Sequence, residues 1–534
     1  MFKKATAIFL VLCFVALTVC GCGNSNGKGS RDASKPVVET NLSKLNMKKW
    51  QYSAEFDFYY QLGIDYCEKP ADNSYEKLAV FVPAAYMKAK DNGDSTFTCK
   101  LDKNAKTNGY TSSTAPIVMP VITPAYASDK ALTESLLDER GGFLNLMAAF
   151  TSQGLVFVHA GCRGGYEGAP AGVTDLKAAI RYLRYSDDKI AGDAEKIFVF
   201  GTSGGGAQSA ILGASGDSKL YDPYLKRIGA VQGASDSVAG SMSWCPITDL
   251  NTANAEYEWM MGASRSKRTD EEQAISDKLA EAYADYVNKA GFTDKNGSKL
   301  TLSKSDKGIY QAGSYYDYIK KVIEKSLNNY LSDTDFFDSS PQEYINELNA
   351  DKKWVAYDQK TNTAKITSIA DFSKNCKKAT DDFVAFDRPV VENSLFGLGK
   401  GKGLHFDKIL AGILTELKSK YASAYNADLK KTDSEGNSVE QRVDMYTPLY
   451  YLMKSQKGYG TSKVAKYWRV RSGIEQNNTS VTTEVNLALA LEQNKAVKSV
   501  DFETVWAQGH TEAERDGDST SKFISWVKNC VKAK

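Results

Sequence analysis

The stretch Lys196-Ile-Phe-Val-Phe-Gly201-Thr-Ser203-Gly-Gly-Gly206-Ala-Gln-Ser-Ala-Ile-Leu-Gly213 constrains this chain more than any other. A short apolar, β-rich run ends in glycines and an Ala/Leu-containing segment of helical character follows, which predicts strand, sharp turn, helix. Ser203 falls in the turn, inside Gly201-Thr-Ser203-Gly-Gly205, a match to G-x-S-x-G. Such a turn lifts the serine hydroxyl out of the backbone, and its glycines let strand and helix approach closely. The following helix N-terminus faces any oxygen that turns negative beside the serine, and the Gly204 N–H can donate to it. A phosphate loop is the competing use of a glycine-rich turn. Gly-x-x-x-x-Gly-Lys is absent, however, and the run from Gly201 to Gly206 carries no lysine.

The rest of the chain sets this turn in an alternating pattern. Gln51 to Tyr60 reads as an alternating strand, Leu78 to Ala85 and Ala115 to Thr123 as more buried ones, and Gly154 to Gly161 as a central strand after a helix at Phe143 to Gln153. Val173 to Tyr185 has apolar residues at three- and four-residue steps, an amphipathic helix leading to the elbow strand. The next strand is expected within Ser237 to Ile247. Strands alternating with helices imply a mostly parallel sheet, the α/β-hydrolase fold that the elbow belongs to. From about residue 251 the pattern turns helical, notably Asp270 to Ala290 and Ser314 to Leu331, with a hairpin at Lys353 to Ile366. Sheet elements return with Trp468-Arg-Val-Arg471 and Val500 to Trp506, separated by a helix at Val481 to Gln493. The reading is therefore a core at 46–250 and 441–534, with a large, mainly helical cap inserted at 251–440.

The N-terminus has a basic head, Lys3-Lys4, and an apolar run, as in a secretory signal. It ends in Leu17-Thr-Val-Cys20-Gly-Cys22, which resembles a bacterial lipobox, with Cys22 the better lipidation candidate and Cys20 the alternative. The expectation is a signal peptide at 1–22, a flexible tether at 23–45, and a body on the outer face of the bacterial membrane, held by lipid alone. Lys and Arg number 67 against 65 Asp and Glu, a net charge of +2 with no basic stripe, so nucleic acid is not an expected partner. Cys67, Cys99, Cys162, Cys245, Cys376 and Cys530 are scattered without metal spacing, and no metal or cofactor is expected. Their disulfide pairing cannot be read from spacing.

A serine hydroxyl needs a base, and this chain has three histidines. His510, in Ala507-Gln-Gly-His510, follows the last strand, where the chain order of this fold puts the base. His159 ends the strand before the elbow and either lines the site or fills the sheet edge. His405 stands among Gly-Lys-Gly-Lys-Gly and reads as exposed. The acid belongs in the loop after Trp468-Arg-Val-Arg471, where Glu475 is the only carboxylate of Ser472 to Ser480.

Cys162-Arg-Gly-Gly165, Gly168 to Arg184, the elbow, Cys245-Pro-Ile-Thr-Asp-Leu250, Ala385-Phe-Asp387, Glu392-Asn-Ser-Leu-Phe-Gly397 and Trp468-Arg-Val-Arg471 together resemble the bacterial tannase group of α/β-hydrolases. The resemblance covers most of the chain after residue 50. It implies a cap over a Ser-His-acid site, hydrolysis of galloyl or related phenolic esters, and a cap carboxylate gripping aromatic hydroxyls. On the motif match that carboxylate is Glu392, with Lys378 a weaker substrate-binding candidate. The group has aspartates just before Thr-Ser, one the triad acid and one touching the galloyl ring, where this chain has Gln476-Asn477-Asn478. Fungal tannases put cysteines beside both Ser and His. Thr202 and Gly509 occupy those places here, which excludes that variant. A serine peptidase of the same fold and a non-catalytic, ligand-binding lipoprotein are the competing readings.

Overall fold

In the computed structural model, the described residues are 38–532 apart from 140–141, 266–267, 307, 380–382, 385–386 and 388–390. The expected signal peptide and both candidate lipidation cysteines lie outside them. The expected tether does not extend to residue 45. Glu39 bridges to Gln232, Thr40 and Asn41 donate to the Glu68 carboxylate, and Leu45 is buried, so this stretch is part of the body.

One nine-stranded sheet organises residues 51–505. Its strands are β1 (Gln51–Ser53), β2 (Phe58–Asp65), β3 (Lys77–Pro83), β4 (Pro116–Val121), β5 (Val156–Ala160), β6 (Asp193–Thr202), β7 (Gly240–Trp244), β8 (Tyr467–Gly473) and β9 (Ser499–Val505). They lie in the order β1-β2-β3-β5-β4-β6-β7-β8-β9. The strands from β5 to β9 across the sheet are parallel, and β1, β2 and β3 pair antiparallel. Every residue of β4 and β5 is buried, as a parallel sheet covered on both faces requires. The run expected as one strand from Gln51 to Tyr60 is broken by a turn in which Asp57 takes a φ of 51°, so it contributes to two strands.

Helices cover the sheet: α1 (Phe143–Thr151), α2 (Ala171–Tyr185) and α3 (Gly204–Ala214), and near the C-terminus Val481–Gln493 and Ser519–Lys532. Between β7 and β8 no described residue joins the large sheet. This stretch holds the helices Ala253–Met261, Asp270–Ala290 and Ser314–Asp333, and a hairpin pairing Val355–Asp358 with Thr363–Ile366. Asp270–Ala290 starts at a reciprocal cap: Thr269 accepts from the Glu272 N–H while the Glu272 carboxylate takes the Thr269 N–H. Asn486 joins cap to core, donating to the Tyr283 hydroxyl at 3.0 Å and accepting from Tyr315 at 2.6 Å.

The C-terminal edge of the sheet is fastened by buried charge. Arg469 of β8 makes a two-pronged pair with Glu514 at 2.5 and 2.6 Å, and Trp244 of β7 donates its indole N–H to the same carboxylate at 3.0 Å. Both Arg469 and Glu514 are buried. Removing Glu514 leaves the buried Arg469 with only the half-exposed Asp501 carboxylate at 3.1 Å, at a cost of about 3 kcal/mol. Glu514→Ala is therefore expected to lower unfolding stability by about that amount in urea titration. A loss below about 1 kcal/mol would show that the pair does not fasten the edge.

Candidate active site

β6 ends at Thr202 and α3 begins at Gly204, and Ser203 between them has φ 60° and ψ −123°. A non-glycine residue there is strained and is held only when its surroundings over-determine it. They do so through close approach. A Cβ on Gly205 would stand 2.1 Å from the Val121 carbonyl oxygen, and one on Gly204 would stand 2.5 Å from the Tyr126 nitrogen. On the other flank the Ser203 N–H donates to the Trp244 carbonyl at 3.0 Å. The turn is thus clamped between the ends of β4 and β7. Among the described residues the Ser203 hydroxyl has no hydrogen-bond partner.

Two backbone N–H groups face the space beside it. Gly204 is the first residue of α3, so its N–H has no acceptor inside the helix. The second donor comes from the loop after β4, Pro124 to Ala127. Pro124 has no N–H, Tyr126 donates to the Thr123 carbonyl and Ala127 to that of Pro124, both at 2.9 Å. Ala125 is left, with φ 51° and no partner among the described residues, 3.2 Å from where a Gly204 Cβ would lie. The Tyr126 hydroxyl, bonded to the Ile247 carbonyl, holds this loop down.

His510 is brought to the same end of the sheet by three short links. Thr202, one residue before Ser203, donates to Glu512 at 3.1 Å. Cys245, which follows the carbonyl that holds Ser203, directs its thiol at the carbonyls of Gly509 and Thr511 on either side of His510. Among the described residues the buried His510 Nε2 atom has no hydrogen-bond partner, so it makes no hydrogen bond to Ser203. Nδ1 is held at 2.6 Å by Oε1 of Gln476.

The expected acid, Glu475, does not reach His510. Its carboxylate accepts from the Ala507 N–H and its own N–H donates to the Gln508 carbonyl, so it turns to the back of the loop. Burial raises its pKa, opposed by Lys378 and Lys377. Gln476, the next residue, whose N–H closes a turn on the Gly473 carbonyl, takes the place on the histidine. Behind it lies Glu484, buried on the helix Val481–Gln493. Its Oε1 accepts from Gln476 at 2.7 Å, Thr479 at 2.9 Å and Ser472 at 3.0 Å. Glu484 was missed because it lies inside an apolar helix, where the sequence gives no catalytic signal. Lys377, also missed, is buried beside this group on a short π-helix of the cap, Ser373–Lys377, and donates to the Ile474 carbonyl at 3.2 Å. Burial lowers its pKa to about 8, with Glu484 acting in the opposite sense.

The remaining candidates divide. Glu392 is buried on Val391–Leu395, a short helix packed against the Pro124–Tyr126 loop, and desolvation lifts its pKa to about 7. Lys378 is exposed at the end of the π-helix, its carbonyl accepting from Asn477 at 3.3 Å. His159 is fully buried and bonded to Asp129 at 2.7 Å, so it fills the sheet. His405, expected exposed, is half-buried: it stacks on Tyr425 at 3.8 Å and bonds Asp428. The six described cysteines are unpaired. Among the described residues no group of three or more His, Cys, Asp or Glu side chains stands in a metal-holding arrangement.

Comparison with known proteins agrees with this architecture. A family model described as BD-FAE matches residues 109–307. Among solved structures, the Fusobacterium nucleatum tannase is 28% identical with a TM-score of 0.72, covering 91% of this chain and 99% of its own. A tannin acyl hydrolase from Lactobacillus plantarum is 27% identical with a TM-score of 0.69, covering 89% and 94%. A tannin acyl hydrolase in complex with ethyl gallate is 26% identical with a TM-score of 0.69, covering 93% and 98%. The search of curated proteins finds no match. Sheet order, elbow and neighbours together define an α/β-hydrolase. Within that superfamily the chain is a tannase-like carboxylic ester hydrolase.

The electrostatics of His510 can be checked directly. Burial lowers its pKa from the ordinary value of 6.5, and the Lys377 cation lowers it further. Removing that cation, as in Lys377→Met, takes away a charge that disfavours imidazolium, so the His510 pKa should rise. An NMR titration of the imidazole signals should show this, with His510→Gln assigning one of the three histidines. An unchanged or lower pKa would contradict the arrangement.

Proposed function

We propose that this chain is an exported, lipid-anchored serine esterase that cleaves phenolic esters through an acyl-enzyme. The observation that carries the proposal is the strained Ser203 turn, with its hydroxyl unpartnered and two free N–H groups beside it. In this reading Ser203 Oγ attacks the ester carbonyl while His510 Nε2 takes its proton. The tetrahedral oxygen receives hydrogen bonds from the Gly204 and Ala125 N–H groups, aided by the positive end of α3. His510 then returns the proton to the departing alcohol, and water repeats the sequence on the acyl group.

Glu392 supports an aromatic acyl group. A carboxyl near neutrality in its pKa both donates and accepts hydrogen bonds, which suits phenolic hydroxyls. Lys378 stands at the rim as a second polar contact. The related tannin acyl hydrolase has been solved with ethyl gallate and with 3,4-dihydroxybenzoate. Asn477 and Asn478 in place of a carboxylate point to fewer charged contacts with the ring here. Export and anchoring rest on the basic head, apolar run and Gly21-Cys22 junction.

A serine-directed phosphonate is expected to label Ser203 and to fail on Ser203→Ala. Because the pair acts as one unit, Ser203→Ala, His510→Ala and the double variant should lose kcat on a phenolic methyl ester to a similar, large extent. Near-normal turnover in His510→Ala would refute its role as base, and cleavage of peptides in preference to esters would favour a peptidase. Replacing Cys20 and Cys22 by Ser should leave the precursor unprocessed or release the body. An unlipidated mature wild-type N-terminus in mass spectrometry would contradict anchoring.

A further inference from the structure

We infer that Glu484 supplies the negative charge of this catalytic site and acts on His510 at one remove, through the side-chain amide of Gln476. The inference rests on the reading of Ser203 and His510 as nucleophile and base, and makes Glu484 a positioning residue.

Donors and acceptors around Gln476 fix the tautomer of His510. An amide oxygen only accepts, so Gln476 Oε1 at 2.6 Å obliges His510 Nδ1 to carry the hydrogen. Nε2 is then left with the lone pair that a base needs. That outcome depends on which way the amide faces. If it turned over, its NH₂ would meet Nδ1, and Nδ1 would become the acceptor with the proton on Nε2.

The far side of the amide decides this. Gln476 Nε2 lies 2.8 Å from Ser472 Oγ, 2.9 Å from Thr479 Oγ1 and 2.7 Å from Glu484 Oε1. Hydroxyls donate or accept and impose nothing alone. A carboxylate only accepts. Glu484 takes the protons of Ser472 and Thr479, turns their lone pairs toward Gln476, and itself demands an N–H. Every neighbour then requires the NH₂ on that side and the oxygen on His510. An isosteric amide at position 484 removes the constraint.

The same carboxylate stabilises charge. When the Ser203 Oγ–carbon bond forms, the serine proton moves to Nε2 and Nδ1 keeps its own, so neither Gln476 nor Glu484 gains a proton. The imidazolium faces the Glu484 charge across one amide. The titratable groups facing Glu484 are Lys377 from the π-helix, Cys245 after β7, and Glu256 and Asp249 from the cap side. Burial raises the Glu484 pKa, and Lys377, the only cation among them, opposes that rise together with the hydrogen bonds from Thr479 and Ser472.

The test is a charge transfer between two neighbouring positions. Glu484→Gln should lower kcat about 10- to 100-fold with KM changed less than about twofold, within the range that base catalysis contributes. The double variant Gln476→Glu with Glu484→Gln moves the carboxylate onto Nδ1, keeps the net charge beside Lys377, and should recover kcat at least about tenfold over Glu484→Gln. A merely structural Glu484 gives no such rescue. Wild-type kcat in Glu484→Gln, or a double variant that fails to fold or stays at the Glu484→Gln rate, overturns the relay. Phosphonate labelling of wild-type Ser203 separates the two claims: without it the nucleophile reading fails, and with it only the relay is at stake.

Discussion

The molecule depends on the clamped turn at Ser203. A left-handed serine is unfavourable by itself, and it persists because strand ends on both sides leave the backbone no other course. Val121 presses on Gly205, Tyr126 on Gly204, and Trp244 takes the Ser203 N–H. Each contact also belongs to a part of the proposed site: the first two to the loop that carries Ala125, the third to the strand end whose Cys245 touches the His510 loop. The sheet order that puts β4 and β7 on either side of β6 is therefore also what assembles the site.

Charge in this protein is concentrated under the loops rather than at the reacting atoms. Glu514 fastens the segment after His510 to β7 and β8. Glu484 and Lys377 sit behind Gln476, one from the core and one from the cap. The cap therefore does more than cover the core. It supplies a cation next to the histidine, a buried carboxyl at Glu392 by the Pro124–Tyr126 loop, and Tyr257, whose hydroxyl holds the Asn477 carbonyl at 3.0 Å. The loop that carries Gln476 is thus held from the cap as well as from the core.

Much of this was legible because local pattern and tertiary role coincide. Helices at Asp270–Ala290 and Val481–Gln493 were readable to the residue from periodicity, and the strand, turn and helix around Ser203 from apolar and glycine spacing. The place of His510 after the last strand follows from chain order, and the fold brings it to the same end of the sheet as Ser203. The acid position was different in kind. Glu475 was the only carboxylate in its loop, but a side chain's direction depends on backbone geometry that composition does not carry, and the turn at Gly473–Gln476 gives the histidine to Gln476 and Glu475 to Ala507. Glu484 reads in sequence as a polar residue of a buried helix, and only folding brings it behind Gln476. The Arg163–Asp175 clasp, with guanidinium contacts at 2.6 and 3.0 Å, explains a quoted motif as a link between the loop after β5 and α2.

The account turns on Ser203 forming a covalent acyl intermediate, and acid-quenched turnover with excess phenolic ester, followed by peptide mass mapping, addresses this most directly. The account predicts the mass of the aroyl group on the peptide containing Ser203, and its disappearance as substrate is exhausted. Ester hydrolysis with no acyl mass on that peptide, or with the mass on another residue, would contradict it.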